Sequence, residues 1–180
     1  DEGGRTPVFI AAKNGHADVI RLLAEFDADL DKGDNSEKTP IYIAAEKGDI
    51  ELIKVLTELK ANVNTSDKDG RTPVFIAAEN GHADVIKVLH DLKADVNTPD
   101  EGGRTPVFIA AENGHEDVLI ALKNFGAKII DEELLASINS REKIKIFDTF
   151  KKAEVKKIKV LASFNVNFNI KNDDGQSPVY

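Results

Sequence analysis

The chain has no cysteine, no methionine and no tryptophan among its 180 residues. Without thiols it forms no disulfide, no zinc-thiolate site and no iron-sulfur cluster, and it has no thiol nucleophile. The compartment is therefore not legible from redox chemistry. With no methionine to start it, the sequence reads as a segment of a longer protein or a processed product, and any targeting peptide would lie upstream of it. Aromatic residues are only 6% of the chain, and apolar runs such as Val107 to Ala111 fall far short of the roughly 20 residues a membrane-spanning helix needs.

What is present belongs to an ordinary folded protein: 41% hydrophobic and 31% charged residues, with 12 glycines. The formal net charge of −8 opposes general affinity for nucleic acid. That charge is uneven, because residues 1–132 hold 26 acidic against 15 basic side chains, whereas residues 133–180 hold 6 against 9.

Self-similarity dominates the text. Thr-Pro occurs at Thr6, Thr39, Thr72 and Thr105, each 33 residues after the last, within RTPVFIAAKNGH, KTPIYIAAEKGD and two copies of RTPVFIAAENGH. A partial copy, QSPVY, closes the chain, with Ser177 lying two periods plus six residues after Thr105. The intervening unit has drifted and holds a six-residue insertion.

One unit can be built from its residues. Threonine is a good N-cap and proline suits the first helical position, so Thr6-Pro7 starts a helix of about two turns. Val8, Ile10, Ala11 and Ala12 give it a narrow face, and Asn14-Gly15 supplies the left-handed residue that ends it. Val19, Ile20, Leu22, Leu23 and Phe26 then follow helical spacing, as do Val85, Ile86, Val88, Leu89 and Leu92, predicting a second, antiparallel helix. A polar stretch with Asp69-Gly70, or Asn97, Asp100 and Gly102-Gly103, predicts an extended turn into the next Thr-Pro. Such a helix pair cannot bury its own apolar faces, so it must stack on its neighbours.

The 33-residue period, the T-P-x-x-x-A-A box, the Gly-His before the second helix and Ala94-Asp95-Val96-Asn97 together resemble the ankyrin repeat. The resemblance implies an all-α solenoid with regular units at 1–33, 34–66, 67–99 and 100–132, an irregular unit at 133–171 and the start of another at 172–180. It also implies a non-catalytic scaffold that binds protein partners, without a cofactor, in an intracellular protein. The apolar pattern reaches both ends without polar capping units, so further repeats on one or both sides, or end-to-end self-association, are expected.

The chain departs from the family in three places. The box histidine is replaced by Phe9, Tyr42, Phe75, Phe108 and Tyr180, which read as inter-repeat aromatic core in place of an imidazole network. The glycine expected after the second helix is Asp27, Lys60, Lys93, Gly126 and Asn165 in successive units, and a left-handed lysine costs on the order of 1 kcal/mol. In the drifted unit, Ile158 to Asn169 still matches a second helix, but Ile144, Ile146, Phe147 and Phe150 stand where small residues belong. An extra helical turn near Glu132 to Ile138 is expected.

No nucleophile beside a base, paired acids, phosphate-cradling glycine loop or zinc-helix signature occurs. His16, His82 and His115 recur at the period, with Asp49 in the second copy. Stacked helices about 8–10 Å apart do not place such side chains on one metal, so they read as structural. Carried over from the family, the partner-binding face is built from turn tips and the first helix. In the first unit these are Glu2, Gly3, Arg5, Lys13 and Asn14, and in the second Asn35, Ser36, Lys38, Glu46 and Lys47. The third offers Lys68, Asp69, Arg71, Glu79 and Asn80, and the fourth Glu101, Gly102, Arg104, Glu112 and Asn113. Arg5, Lys38, Arg71 and Arg104 form one row, which reads either as partner anchors or as a lattice of weak surface ion pairs.

Two further features point elsewhere. Arg141, Lys143, Lys145, Lys151, Lys152, Lys156, Lys157 and Lys159 exceed their acidic neighbours by five, which suits an acidic protein, nucleic acid or anionic lipid. The alternative is a solvated helix face. Asn64, Asn97 and Asn169 match the family's asparagine hydroxylation position, against a reading as turn-stabilising amides. A regulatory or targeting arm of a larger enzyme or channel is the remaining alternative for the whole array.

Overall fold

The computed structural model describes residues 1–128. The expectations for the irregular unit, the closing segment and Asn165 and Asn169 lie outside the described residues. Within them the order is α1 (Pro7–Asn14), α2 (Ala17–Glu25), α3 (Pro40–Lys47), α4 (Ile50–Glu58), α5 (Pro73–Glu79), α6 (Ala83–Asp91), α7 (Pro106–Asn113) and α8 (Glu116–Asn124). These are four helix pairs, all-α as the sequence predicts.

The Thr-Pro signal works as its chemistry requires. Thr6, Thr39, Thr72 and Thr105 are extended N-caps whose hydroxyls accept from the backbone N–H of Phe9, Tyr42, Phe75 and Phe108. Proline follows each, where its missing N–H costs nothing. Each first helix ends on a left-handed glycine, Gly15, Gly48, Gly81 or Gly114. At the first of these, Gly15 N–H bonds Ala12 O and His16 N–H bonds Ala11 O, which satisfies carbonyls the helix would otherwise orphan.

The first helices form one layer, α1 on α3 on α5 on α7, and each packs on its own second helix; α2, α4, α6 and α8 form the outer layer. Alanines at the layer's centre, Ala12, Ala44, Ala45, Ala77, Ala78 and Ala110, are fully covered and let the backbones approach. Phe9, Tyr42 and Phe75 are buried between units and Phe108 is half-buried, so the aromatic positions serve as inter-repeat core.

The second helices bear out the stacking argument and qualify it at one end. Leu52, Val85 and Val118 are buried, yet Val19 at the same position of the first unit is 45% exposed, with Leu22 53% and Phe26 76% exposed. The helical periodicity is right, and Ile20 is buried in the first unit as well, but the part of the face formed by Val19, Leu22 and Phe26 is covered only where a preceding pair lies against it.

Asp27, Lys60, Lys93 and Gly126 all take positive φ, between 56° and 76°, as the alignment of units predicts. A fourth strained residue was not anticipated: Glu37 has φ 61°, where the other units place Gly4, Gly70 and Gly103.

Candidate interaction face

The turn tips are organised by an aspartate that the sequence places in the polar turn at Asp100 but gives no bonding role. Asp1, Asp34, Asp67 and Asp100 recur at the period. Asp67 Oδ1 accepts from Asp69 N–H and Arg71 N–H at 3.1 and 2.9 Å, and Asp1 and Asp34 each accept two equivalent bonds. Asp100 Oδ1 accepts from Arg104 N–H at 2.8 Å. Each carboxylate thus gathers backbone donors of its own loop, as Asx turns do.

The tips then bond to one another. Asn35 N–H donates to Gly3 O at 2.9 Å, Lys68 N–H to Ser36 O at 3.0 Å and Glu101 N–H to Asp69 O at 2.8 Å. Asn35 Nδ2 adds a bond to Glu2 O at 2.9 Å. A second set runs through the preceding bend, where Asp31, Asn64 and Asn97 carboxyl or amide oxygens accept from Asn62, Asp95 and Lys128 N–H. The Asn64 and Asn97 amide oxygens therefore link one unit to the next.

The row of cations is largely engaged within the protein. Arg71 Nη2 lies 2.8 Å from Asp67 and 2.9 Å from Asp69, Arg104 Nη2 2.7 Å from Asp100, and Arg5 Nη2 2.7 Å from Asp1. Lys38 reaches Glu46 at 3.3 Å and sits 5.1 Å over the Tyr42 ring. The weak-surface-pair reading suits Arg5–Asp1, whose side chains are both well exposed. It understates Asp67 and Asp100, whose side chains are 1% and 2% exposed. Partial burial works against the Arg71 charge, but the Asp67 hydrogen bonds and the neighbouring Tyr42 and Asp69 outweigh it and leave its pKa raised.

Along the ends of the first helices, Glu46, Glu79 and Glu112 are half-buried, while Lys13, Asn14, Lys47, Asn80 and Asn113 are exposed. Lys47 Nζ bonds Lys13 O, and Asn113 Nδ2 bonds Glu79 O at 2.9 Å, both across a repeat boundary. Asn14 and Asn80 amides bond back to Ile10 O and Ile76 O. At the tips Glu2, Asn35, Ser36, Lys68, Asp69, Glu101 and Gly102 are exposed and Gly3 is half-covered.

The family model described as "Ankyrin repeats (3 copies)" matches residues 1–67 and 59–133. The chain belongs to the ankyrin-repeat family. No curated protein matches it significantly. Ankyrin repeats are in general protein-interaction modules and typically non-catalytic.

Two features of these ankyrin units escaped the sequence reading. The expected replacement of imidazole links by aromatic packing is only half of what occurs. His82 Nε2 meets Glu46 O at 3.1 Å and His115 Nε2 meets Glu79 O at 3.0 Å, so a histidine one helix further on joins neighbouring repeats. Asp49 instead caps α4, accepting from Leu52 N–H at 3.0 Å. Among the described residues no group of histidine and acidic side chains could hold a metal ion. The other feature is His90, whose ring stacks on Phe125 with centroids 4.2 Å apart. No periodic signal marks it, because the same position holds Ala24, Thr57 and Lys123 elsewhere. No helix among the described residues is long and apolar enough to cross a membrane, and the basic cluster from Arg141 to Lys159 lies outside them.

Proposed function

We propose that this ankyrin array is a non-catalytic scaffold that binds a protein partner along its turn tips and first-helix ends. The observation that carries the reading is the tip-to-tip ladder, Asn35 to Gly3, Lys68 to Ser36 and Glu101 to Asp69, which holds successive loops in fixed register. Loops ordered before binding forfeit little conformational entropy on binding, so modest contacts per repeat add up. With Arg71 and Arg104 tied to buried aspartates, contact chemistry falls to the exposed tips Glu2, Asn35, Ser36, Lys68, Asp69 and Glu101. No cofactor is required for this role, and the family supports an intracellular setting.

A second reading places recognition on the basic cluster, Lys151, Lys152, Lys156, Lys157 and Lys159, toward an acidic protein, nucleic acid or anionic lipid. The change from 26 acidic and 15 basic residues in 1–132 to 6 and 9 in 133–180 favours it. A regulatory arm of a larger enzyme or channel would use either surface.

Pull-downs with three forms of the chain separate the two surfaces. The tip variant Lys68→Glu with Glu101→Lys is expected to lose the proteins that the intact chain retains. A variant with the five lysines changed to glutamate is expected to keep them. The reverse pattern would transfer recognition to the basic cluster.

A further inference from the structure

Each of the six prolines follows a threonine or a serine, and five of them stand in the periodic box. The sixth makes Thr98-Pro99, where the first and second repeats have Lys32-Gly33 and Thr65-Ser66. It starts no helix, since α6 ends at Asp91 and α7 begins at Pro106.

The fold treats the five threonines that precede proline among the described residues in two ways. Thr6, Thr39, Thr72 and Thr105 commit their hydroxyl oxygens to a helix N-terminus, and the last three are buried. Thr98 lies outside every helix, half-buried, ahead of an exposed Pro99 that restricts it to extended backbone. Its hydroxyl donates to Oδ2 of the exposed Asp95 at 3.0 Å. Thr65, at the same position of the second repeat, is instead joined to the capping Thr39 at 2.9 Å. Extended backbone, a reachable hydroxyl and a following proline are what a proline-directed serine/threonine kinase requires of its substrate.

We propose that Thr98 is a phosphorylation site for a kinase of that class, and that the phosphate loosens the bend joining the second, third and fourth repeats. In the transfer Thr98 Oγ bonds to the γ-phosphorus of ATP, the bond from that phosphorus to the bridging oxygen breaks to release ADP, and the hydroxyl proton passes to the kinase's general base. Phosphothreonine loses the donor that faced Asp95 and sets about two negative charges beside its carboxylate. Asp95 Oδ1 also accepts from Asn97 N–H at 2.9 Å, and both residues tie repeats together. Asp95 N–H donates to Asn64 Oδ1 at 3.0 Å, and Asn97 Oδ1 accepts from Lys128 N–H at 2.7 Å. Repulsion between phosphate and carboxylate acts on the bend from which both ties run. The site is separate from the turn tips and does not rest on their reading as a partner surface.

The full chain is incubated with ATP and a purified proline-directed kinase of the mitogen-activated class, beside a peptide of residues 94–109, which is too short to form a helix pair. Mass spectrometry locates the phosphates, with Ser177, which also precedes proline outside the described residues, counted apart. The expected result is label at both Thr98 and Thr105 in the peptide, and in the folded chain at Thr98 alone among the five threonines. Thr98→Ser is expected to keep that label and Thr98→Ala to lose it. Amide exchange at Asp95 and Lys128 of the treated chain is expected to be several-fold faster than in Thr98→Ala treated in the same way, with α3 unchanged. A peptide or a folded chain that takes no phosphate at Thr98, or a folded chain labelled as readily at Thr39, Thr72 or Thr105, would overturn the site. Equal exchange in the treated chain and treated Thr98→Ala would overturn the loosening.

Discussion

Arg71 places Nε and Nη2 at 3.0 and 2.8 Å from a single carboxylate oxygen, Oδ2 of Asp67. The other oxygen of Asp67 holds two backbone N–H groups, so all four of its bonds are charge-assisted and inside the protein. Substituting Asp67→Ala leaves a half-buried guanidinium and two loop donors without their acceptor. Breaking such a pair should cost about 3 kcal/mol. Asp34→Ala should cost less, because Lys38 directs its ammonium to Glu46 and loses only the loop bonds. Denaturant melts of the two variants check the order; equal losses would show that the guanidinium contributes nothing.

Tyr42 carries the one hydroxyl in an aromatic row otherwise made of phenylalanine across the four regular repeats. That hydroxyl is buried without a hydrogen-bond partner, beside an Asp67 whose oxygens are already occupied. Tyr42→Phe removes an unmet polar group at nearly constant shape and should stabilise the chain by about 1 kcal/mol. Burial first, and then the Asp67 charge, push the ionisation of Tyr42 far above that of an ordinary phenol. The sign follows. Below about pH 10 both states keep the proton, and above it only the unfolded chain releases it, so stability falls as pH rises. Tyr42→Phe should abolish that part of the alkaline loss, which melts at pH 8 and pH 11 would reveal.

Lys60, Lys93 and Glu37 hold left-handed backbone that glycine adopts without strain. Each change to glycine should raise stability by about 0.5–1 kcal/mol, the relief of strain exceeding the added chain entropy. Asp27→Gly should gain less, since aspartate tolerates this region. Thermal melts of the four single variants give the comparison, and a lowered melting temperature for Lys93→Gly would contradict it.

The period made the four helix pairs, their caps and the left-handed lysines legible, because each depends on residues close together in the chain. What the period did not convey is how one unit grips the next. His115 to Glu79 O spans 36 residues, and Asn97 to Lys128 N–H spans 31. Both bonds follow from the stacking distance between units, which no local pattern encodes. Asp67 was missed for the opposite reason: its signal, aspartate at positions 1, 34, 67 and 100, is periodic, but acidic loop residues read as solvated until their backbone donors are seen. His90 on Phe125 has no periodic signal at all.

A left-handed glycine has two duties after the first helix of the third repeat and one after the second helix of the fourth. Gly81 has φ 79°, and a Cβ placed on it would lie 2.9 Å from His115 Nδ1. Gly126 has φ 76° with nothing within 4 Å of the same added atom. Gly126→Ala should therefore cost only left-handed strain, about 1–2 kcal/mol. Gly81→Ala carries the same strain and also displaces the imidazole from Glu79 O, adding about 1 kcal/mol for the lost bond. In a His115→Ala background the clash and the bond are both gone, so Gly81→Ala should fall back to the cost at Gly126. A double-mutant cycle measured by urea unfolding isolates that coupling, and strict additivity of the two changes would mean that the histidine does not join these repeats.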